Sequence, residues 1–185
     1  MATIKQRFDN ENDTRPIKLF FEDEGRFGRI NNLAKCWVPP KSRAIIGRQI
    51  IREYVYAYTV ICPETGENYS LIMPNSNTES MSILLQEVGK EFENYRIIMA
   101  MDKAGWHTSK ELRMPENIII WNIPPYSPEL NPTEHIWDYI REQKKFNNST
   151  FNTLEEVEDA LEKALFEISN EKKIIRSLTN FNWLY

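Results

Sequence analysis

The stretch that most constrains this chain is Asn122–Ile140, NIPPYSPELNPTEHIWDYI, where Pro124, Pro125, Pro128 and Pro132 fall within nine residues. Each proline fixes φ and removes an amide donor, so no regular element is expected through 124–130, which reads as a stiff loop. Asn131 then offers an N-cap, and Pro132 sits at N1, where a missing N–H costs nothing. A helix should start there with Glu134 at N3, where the positive end of the helix favours an ionised carboxylate. A carboxylate held this way suits a metal ligand. Asn-x-x-Glu also has the spacing of a capping box, so both roles are open for Glu134 on spacing alone.

The remaining chain reads as an α/β domain. Ile17–Phe21 starts a strand that runs into Glu22-Asp23-Glu24, and a period of two puts Ile17, Leu19, Phe21 and Asp23 on one face. Asp23 then ends a buried row, and the three acids form either a solvated turn or a cation site. Gly25 and Gly28 are expected to loosen the chain into a hairpin-like excursion. Glu53–Ile61 alternates, Pro63–Glu67 turns, and Asn68–Met73 returns antiparallel. A helix follows, with Ser76 and Glu79 in capping-box spacing and Met81, Leu84, Leu85, Val88 and Phe92 as its apolar stripe. Arg96–Met101 is a buried strand ending at Asp102; a short helix near Thr108–Arg113 and a strand Asn117–Trp121 lead to the proline loop.

Beyond the loop, Trp137 and Ile140 belong to a buried helix face, whereas His135 is expected at the surface. Thr153 and Glu156 cap a helix with the stripe Leu154, Val157, Leu161, Leu165 and Ile168, and a second helix spans about Lys172–Leu178. Phe181, Trp183 and Leu184 should dock the C-terminus. The order of elements implies a mixed β-sheet flanked by helices, with a basic insertion after the first strand. Three regions are expected: a polar arm over 1–15, a catalytic domain over 16–146, and a helical extension over 147–185 packed on it.

Charge and composition narrow the function. Gly25–Arg52 holds no Asp or Glu but seven cations, Arg26, Arg29, Lys35, Lys41, Arg43, Arg48 and Arg52, which leaves −11 on the rest of a chain of net charge −4. So long a one-sign stretch is either a phosphate-contacting surface or a solvated loop that balances an acidic body. Cys36 and Cys62 are too far apart in sequence for a metal knuckle and read as reduced thiols. No apolar run reaches membrane-spanning length, and Met1–Arg15 is too polar for a signal peptide, so a cytoplasmic protein with no membrane partner is expected.

Asp23, Asp102 and Glu134 stand at the ends or beginnings of elements that such a sheet can make neighbours. Three convergent carboxylates repel one another unless divalent cations neutralise them, and hard oxygen donors suit Mg²⁺ or Mn²⁺. Two such ions would serve an in-line phosphoryl displacement.

Three segments carry a family resemblance: Phe21-x-Asp23-Glu24; Met101-Asp102-Lys103-Ala104-Gly105-Trp106-His107; and Pro124-Pro125-Tyr126-Ser127-Pro128-Glu129-Leu130-Asn131-Pro132-Thr133-Glu134-x-x-Trp137. Together they resemble the catalytic domain of mariner-type insertion-sequence transposases, DDE superfamily endonucleases with a ribonuclease-H-like fold. The likeness covers about residues 17–145 and recurs weakly over Leu178–Leu184. It implies that Asp23, Asp102 and Glu134 bind two Mg²⁺ or Mn²⁺ ions as the catalytic triad, with His107 beside them. It implies double-stranded DNA as partner, both transposon ends and a TA target, a homo-oligomer on DNA, and a location on the bacterial nucleoid. The rival readings are a purely hydrolytic ribonuclease-H-like nuclease and a catalytically silent regulatory fragment. Trp106 is expected to pack beside Asp102 rather than stack on a base. Two departures stand out. Only 31 residues separate Asp102 from Glu134, a shortening expected to fall in the loop between Arg113 and Asn117. The family's helix-turn-helix domains also have no counterpart before Asp23, so end recognition is expected from a separate helix-turn-helix polypeptide.

Overall fold

A computed structural model describes residues 13–107, 109–124, 127–144 and 146–181. Its strands are β1 (Ile17–Ile30), β2 (Ile50–Ile61), β3 (Asn68–Met73), β4 (Arg96–Met101) and β5 (Ile118–Asn122). The helices are α1 (Thr78–Glu91), α2 (Glu134–Gln143), α3 (Leu154–Ser169) and α4 (Lys172–Thr179). The five strands form one sheet in the order β3-β2-β1-β4-β5. The first three make an antiparallel meander, while β4 joins β1 and β5 joins β4 in parallel. This is the mixed, helix-flanked sheet expected from the order of elements.

Alternation along β1 divides the interior in two. Phe21 and Phe27 face a core that contains Ala57, Ile61, Trp137, Val157 and Leu161, closed by α2, α3 and α4. Phe20 faces the opposite core with Tyr58, Val60, Leu84, Leu85 and Met99, closed by α1. Both faces are therefore dry, which a parallel centre with crossover helices requires. The stripes of α1 and α3 are the expected ones, and Phe181 packs on the first core; Trp183 and Leu184 lie outside the described residues.

Several local expectations need correction. The first strand does not end at the acids 22–24; β1 continues to Ile30, paired with β2 from Phe21↔Ile61 to Ile30↔Ile50. Gly25 and Gly28 do not loosen it. A Cβ on Gly25 would come within 2.8 Å of the Trp137 and Phe27 rings, and one on Gly28 within 2.2 Å of the Glu53 carbonyl oxygen, so close packing requires both glycines. The cap of α1 is Asn77, whose side chain accepts from the Ser80 N–H at 2.8 Å, one residue later than the Ser76 spacing indicates. The short helix expected near Thr108–Arg113 does not form over the described part of that stretch, which turns with Leu112 N–H donating to the Ser109 carbonyl; Thr108 itself is outside the described residues. Pro128–Leu130 closes one 3₁₀ turn inside the loop where no element was expected. Most of the N-terminal arm lies outside the described residues, but Arg15 is tied down, donating to the Glu93 carbonyl at 2.7 Å. Among the described residues no helix is long and apolar enough to cross a membrane.

Candidate active site

The site is built where β1 outruns its parallel partner. Pairing between β1 and β4 ends at Phe21↔Ala100; two residues further along each chain are Asp23, on the face that carries Phe21, and Asp102, just past the end of β4. The proline loop delivers α2 to that face. Asn131 Nδ2 donates to the Glu22 carbonyl at 2.9 Å, and Thr133 Oγ1 donates to the Phe21 carbonyl at 3.3 Å. Asn131 Oδ1 also accepts from the Thr133 N–H at 3.2 Å, but the N-cap of α2 is Thr133 rather than Asn131, so Glu134 opens the helix instead of standing at N3. The first turn is tight, with Glu134, His135 and Ile136 N–H groups bonding the carbonyls three residues back. One asparagine thus turns the loop toward the helix that presents Glu134 and fixes it to the strand that presents Asp23.

Asp23 is held in place by Trp137, whose Nε1 donates to its Oδ2 at 2.8 Å from the next turn of α2. Burial, and then the negative charge of Glu134, raise the Asp23 carboxyl from 3.8 to about 7, outweighing the Trp137 hydrogen bond. Glu134 therefore acts on Asp23 as a like charge. Asp102 is turned differently. Its Oδ1 accepts from the Ala104 N–H at 2.8 Å and lies 2.9 Å from His107 Nδ1. Among the described residues, Asp23, Asp102 and Glu134 do not place one ligand atom each within 4.8 Å of one another. Two of the three expected acids thus face each other across β1 and α2, while the third is held back on the 102–107 turn.

His107 lies between Asp102 on one side and Glu24 on the other. It is buried, with Nε2 3.0 Å from Glu24 Oε1 and Nδ1 against Asp102. Burial alone would lower its pKa; the hydrogen bond and charge of Glu24, joined by Asp102, outweigh that and raise it. Trp106 also packs rather than projecting, its Nε1 donating to Glu24 Oε1 at 2.6 Å. His135 is exposed against the Phe181 ring. Sequence reasoning treated Trp137 only as core and passed over Glu22 and Glu24 as site residues. An indole N–H one helical turn after Glu134 was the available signal for Trp137.

The basic stretch divides. Lys35, Lys41, Arg43 and Arg48 are exposed on the 31–49 connection and Arg52 on β2, and among the described residues none of these five forms an ion pair. Arg29 is committed, 2.6 Å from Glu53 and donating to the Phe151 carbonyl at 3.0 Å. Arg26 lies over the Tyr54 ring and lines a cleft of about 400 Å³ together with Glu24, Glu134, Trp137 and Arg141. A larger groove of about 730 Å³ between β3 and α3 lies away from these acids and carries Glu158, Asp159 and Glu162.

Residues 18–158 match the family described as DDE superfamily endonuclease. The chain belongs to that family. This DDE endonuclease chain is also 36% identical over 90 residues to the uncharacterised protein y4pE/y4sA of Sinorhizobium fredii, covering 48% of this chain and 67% of the relative. Its fold is similar to that of Mos1 transposase in a strand transfer complex, with TM-score 0.57 and 15% identity, and in a mariner paired end complex with Mn, with TM-score 0.58 and 16% identity. Each match covers 97% of this chain, which spans 59% and 60% of those two chains. The DDE endonuclease domain here therefore has the ribonuclease-H-like fold.

The donor set fits hard divalent cations. Asp23 and Glu134 add charge to one another at a partly buried position, and Asp102 follows at the adjacent strand end. Oxygen-only donors with excess negative charge match Mg²⁺ or Mn²⁺ better than softer metals.

Proposed function

We propose that this chain cuts DNA at the end of a mobile element and joins the freed 3′-hydroxyl to a second duplex, with Asp23, Asp102 and Glu134 as the catalytic triad. The carrying observation is the double clamp of Asn131 and Thr133 on the Glu22 and Phe21 carbonyls, which sets Glu134 against Asp23 beside the strand end that bears Asp102. A pair of Mg²⁺ or Mn²⁺ ions held by these carboxylates would supply activation of the attacking oxygen and neutralisation at the leaving oxygen. The protein's share is positioning. Trp137 fixes the Asp23 rotamer, and rotation of the Asp102 side chain away from His107 and the Ala104 N–H would complete the set. The fold shared with Mos1 transposase, seen in a strand transfer complex and in a paired end complex with Mn, supports this reading.

DNA is the proposed substrate because the cleft beside Glu134 also presents Arg26 and Arg141, and the 31–49 connection adds Lys35, Lys41, Arg43 and Arg48. Arg29, spent on Glu53, drops out of that set. A homo-oligomer on DNA and a separate helix-turn-helix partner belong to the same proposal.

The test incubates the purified chain with Mg²⁺ or Mn²⁺, a labelled duplex with a free 3′-hydroxyl end, and a supercoiled target plasmid. Covalent joining is expected, and Asp23→Asn, Asp102→Asn and Glu134→Gln should each reduce it by at least about a hundredfold, the scale of losing one direct electrostatic contact to the reacting atoms. Metal-dependent nicking with no joined product would replace the proposal with a hydrolytic nuclease. Full activity in all three variants would remove the triad.

A further inference from the structure

The residues that alternate with Asp23 point through the sheet to the other core. Glu22 is 1% exposed, and neither of its carboxylate oxygens has a hydrogen-bond partner. The nitrogen it faces is His107 Nε2, 3.8 Å from its Oε2. Glu24 reaches the same nitrogen at 3.0 Å. Glu22, Glu24 and His107 each offer one ligand atom, all within 4.8 Å of one another. A carboxylate enclosed without donors is among the most costly arrangements a protein interior holds, and it persists where a proton or a cation compensates it.

We propose that Glu22, Glu24 and His107 form a second cation site, distinct from the Asp23–Glu134 pair, for one divalent transition ion of the Mn²⁺, Co²⁺ or Zn²⁺ class. One imidazole nitrogen with two carboxylates favours these ions over Mg²⁺, which takes oxygen donors and keeps its waters. The surrounding bonds already have the pattern that metal-binding histidines use. His107 turns Nδ1 to Asp102, 3.1 Å from its carbonyl oxygen and 2.9 Å from its carboxylate, which fixes the tautomer that leaves Nε2 for an ion, and Trp106 fixes Glu24 through Oε1 at 2.6 Å. An ion there would set the His107 ring and, through it, the resting position of Asp102. The site is independent of whether Asp23, Asp102 and Glu134 catalyse anything.

The chain has two histidines, and His135 is exposed against Phe181, so imidazole NMR signals give a probe and an internal control. The experiment uses untagged, chelator-treated full chain carrying Asp23→Asn and Glu134→Gln, which disables the front site without touching the rear one. Zn²⁺ is titrated in the presence of excess Mg²⁺. At one equivalent the His107 signals should shift while those of His135 stay, and the melting temperature should rise. Adding Glu22→Gln, which keeps the shape of a buried side chain and removes its charge, should weaken Zn²⁺ binding at least about tenfold, the lower range for losing a metal-site contact. Displacement of Zn²⁺ by Mg²⁺, no response at His107, or equal affinity in the Glu22→Gln variant would each overturn the site and leave Glu22 as a protonated acid.

Discussion

Raising pH should destabilise the metal-free protein, and Asp23 should account for a defined part of the loss. Its carboxyl is raised from 3.8 to about 7 by burial and by Glu134. An acid whose folded pKa lies above its unfolded one holds its proton more tightly in the native state. Its stabilising contribution is whole below pH 3.8 and disappears as pH climbs through about 7. The full swing is about 4 kcal/mol, at 1.36 kcal/mol for each pH unit between the two values. Asp23→Asn keeps an acceptor oxygen for the Trp137 N–H and cannot ionise. The Asn variant should therefore be more stable than the natural chain by about 1.5 kcal/mol at pH 5 and about 4 kcal/mol at pH 8. In a chain of this size that endpoint is roughly 8–16 °C in melting temperature. Urea unfolding in EDTA at both pH values measures the gap directly. Mg²⁺ at pH 8 should close it, because the cation stabilises the ionised natural site and finds a weaker one in the variant. A gap that stays constant between pH 5 and 8, or an Asn variant less stable at pH 8, would refute the argument that burial and the charge of Glu134 hold the proton on Asp23.

Two further outcomes follow from packing and charge. Gly25→Ala places a methyl 2.8 Å from the Trp137 ring, so it should cost about 1–3 kcal/mol by overpacking and alter Trp fluorescence as the indole that holds Asp23 is pushed away; thermal melts with emission spectra test it. Changing Arg43, Arg48 and Arg52 to Ala should weaken binding to all duplexes alike and lower the slope of log affinity against log salt by up to about 0.9 per lost contact, whereas Arg29→Ala should lower thermal stability by breaking its bonds to Glu53 and Phe151.

The sequence carried the site most clearly where the backbone itself is constrained. Four prolines and an asparagine within nine residues permit few conformations, so a stiff loop opening into a helix near Glu134 was legible before any tertiary contact was known, although the helix starts two residues later than an Asn131 cap requires. What spacing could not show is that the same Asn131 also bonds the Glu22 carbonyl, 109 residues away. Glycine misled for a related reason. Gly25 and Gly28 read as breaks because their freedom is local, yet here they serve close approach by Trp137 and the Glu53 backbone, which only the folded partner reveals. Hence β1 was ended at its acids, which were left open between a solvated turn and a cation site.

That error also hid the opposite face. Period two assigned Asp23 to the row of Phe21, and the same rule sends Glu22 and Glu24 to the row of Phe20. Had the strand ended near Phe21, those two side chains would reach water and carry no information. Because β1 runs on to Ile30 under a turn that bears Trp106 and His107, Glu22 is enclosed with both oxygens unpaired. A buried carboxylate on each side of one strand costs stability unless a proton or a cation compensates it. The arrangement is consistent with a strand that presents acids to cations on both of its faces, with His107 as the link between the rear pair and Asp102.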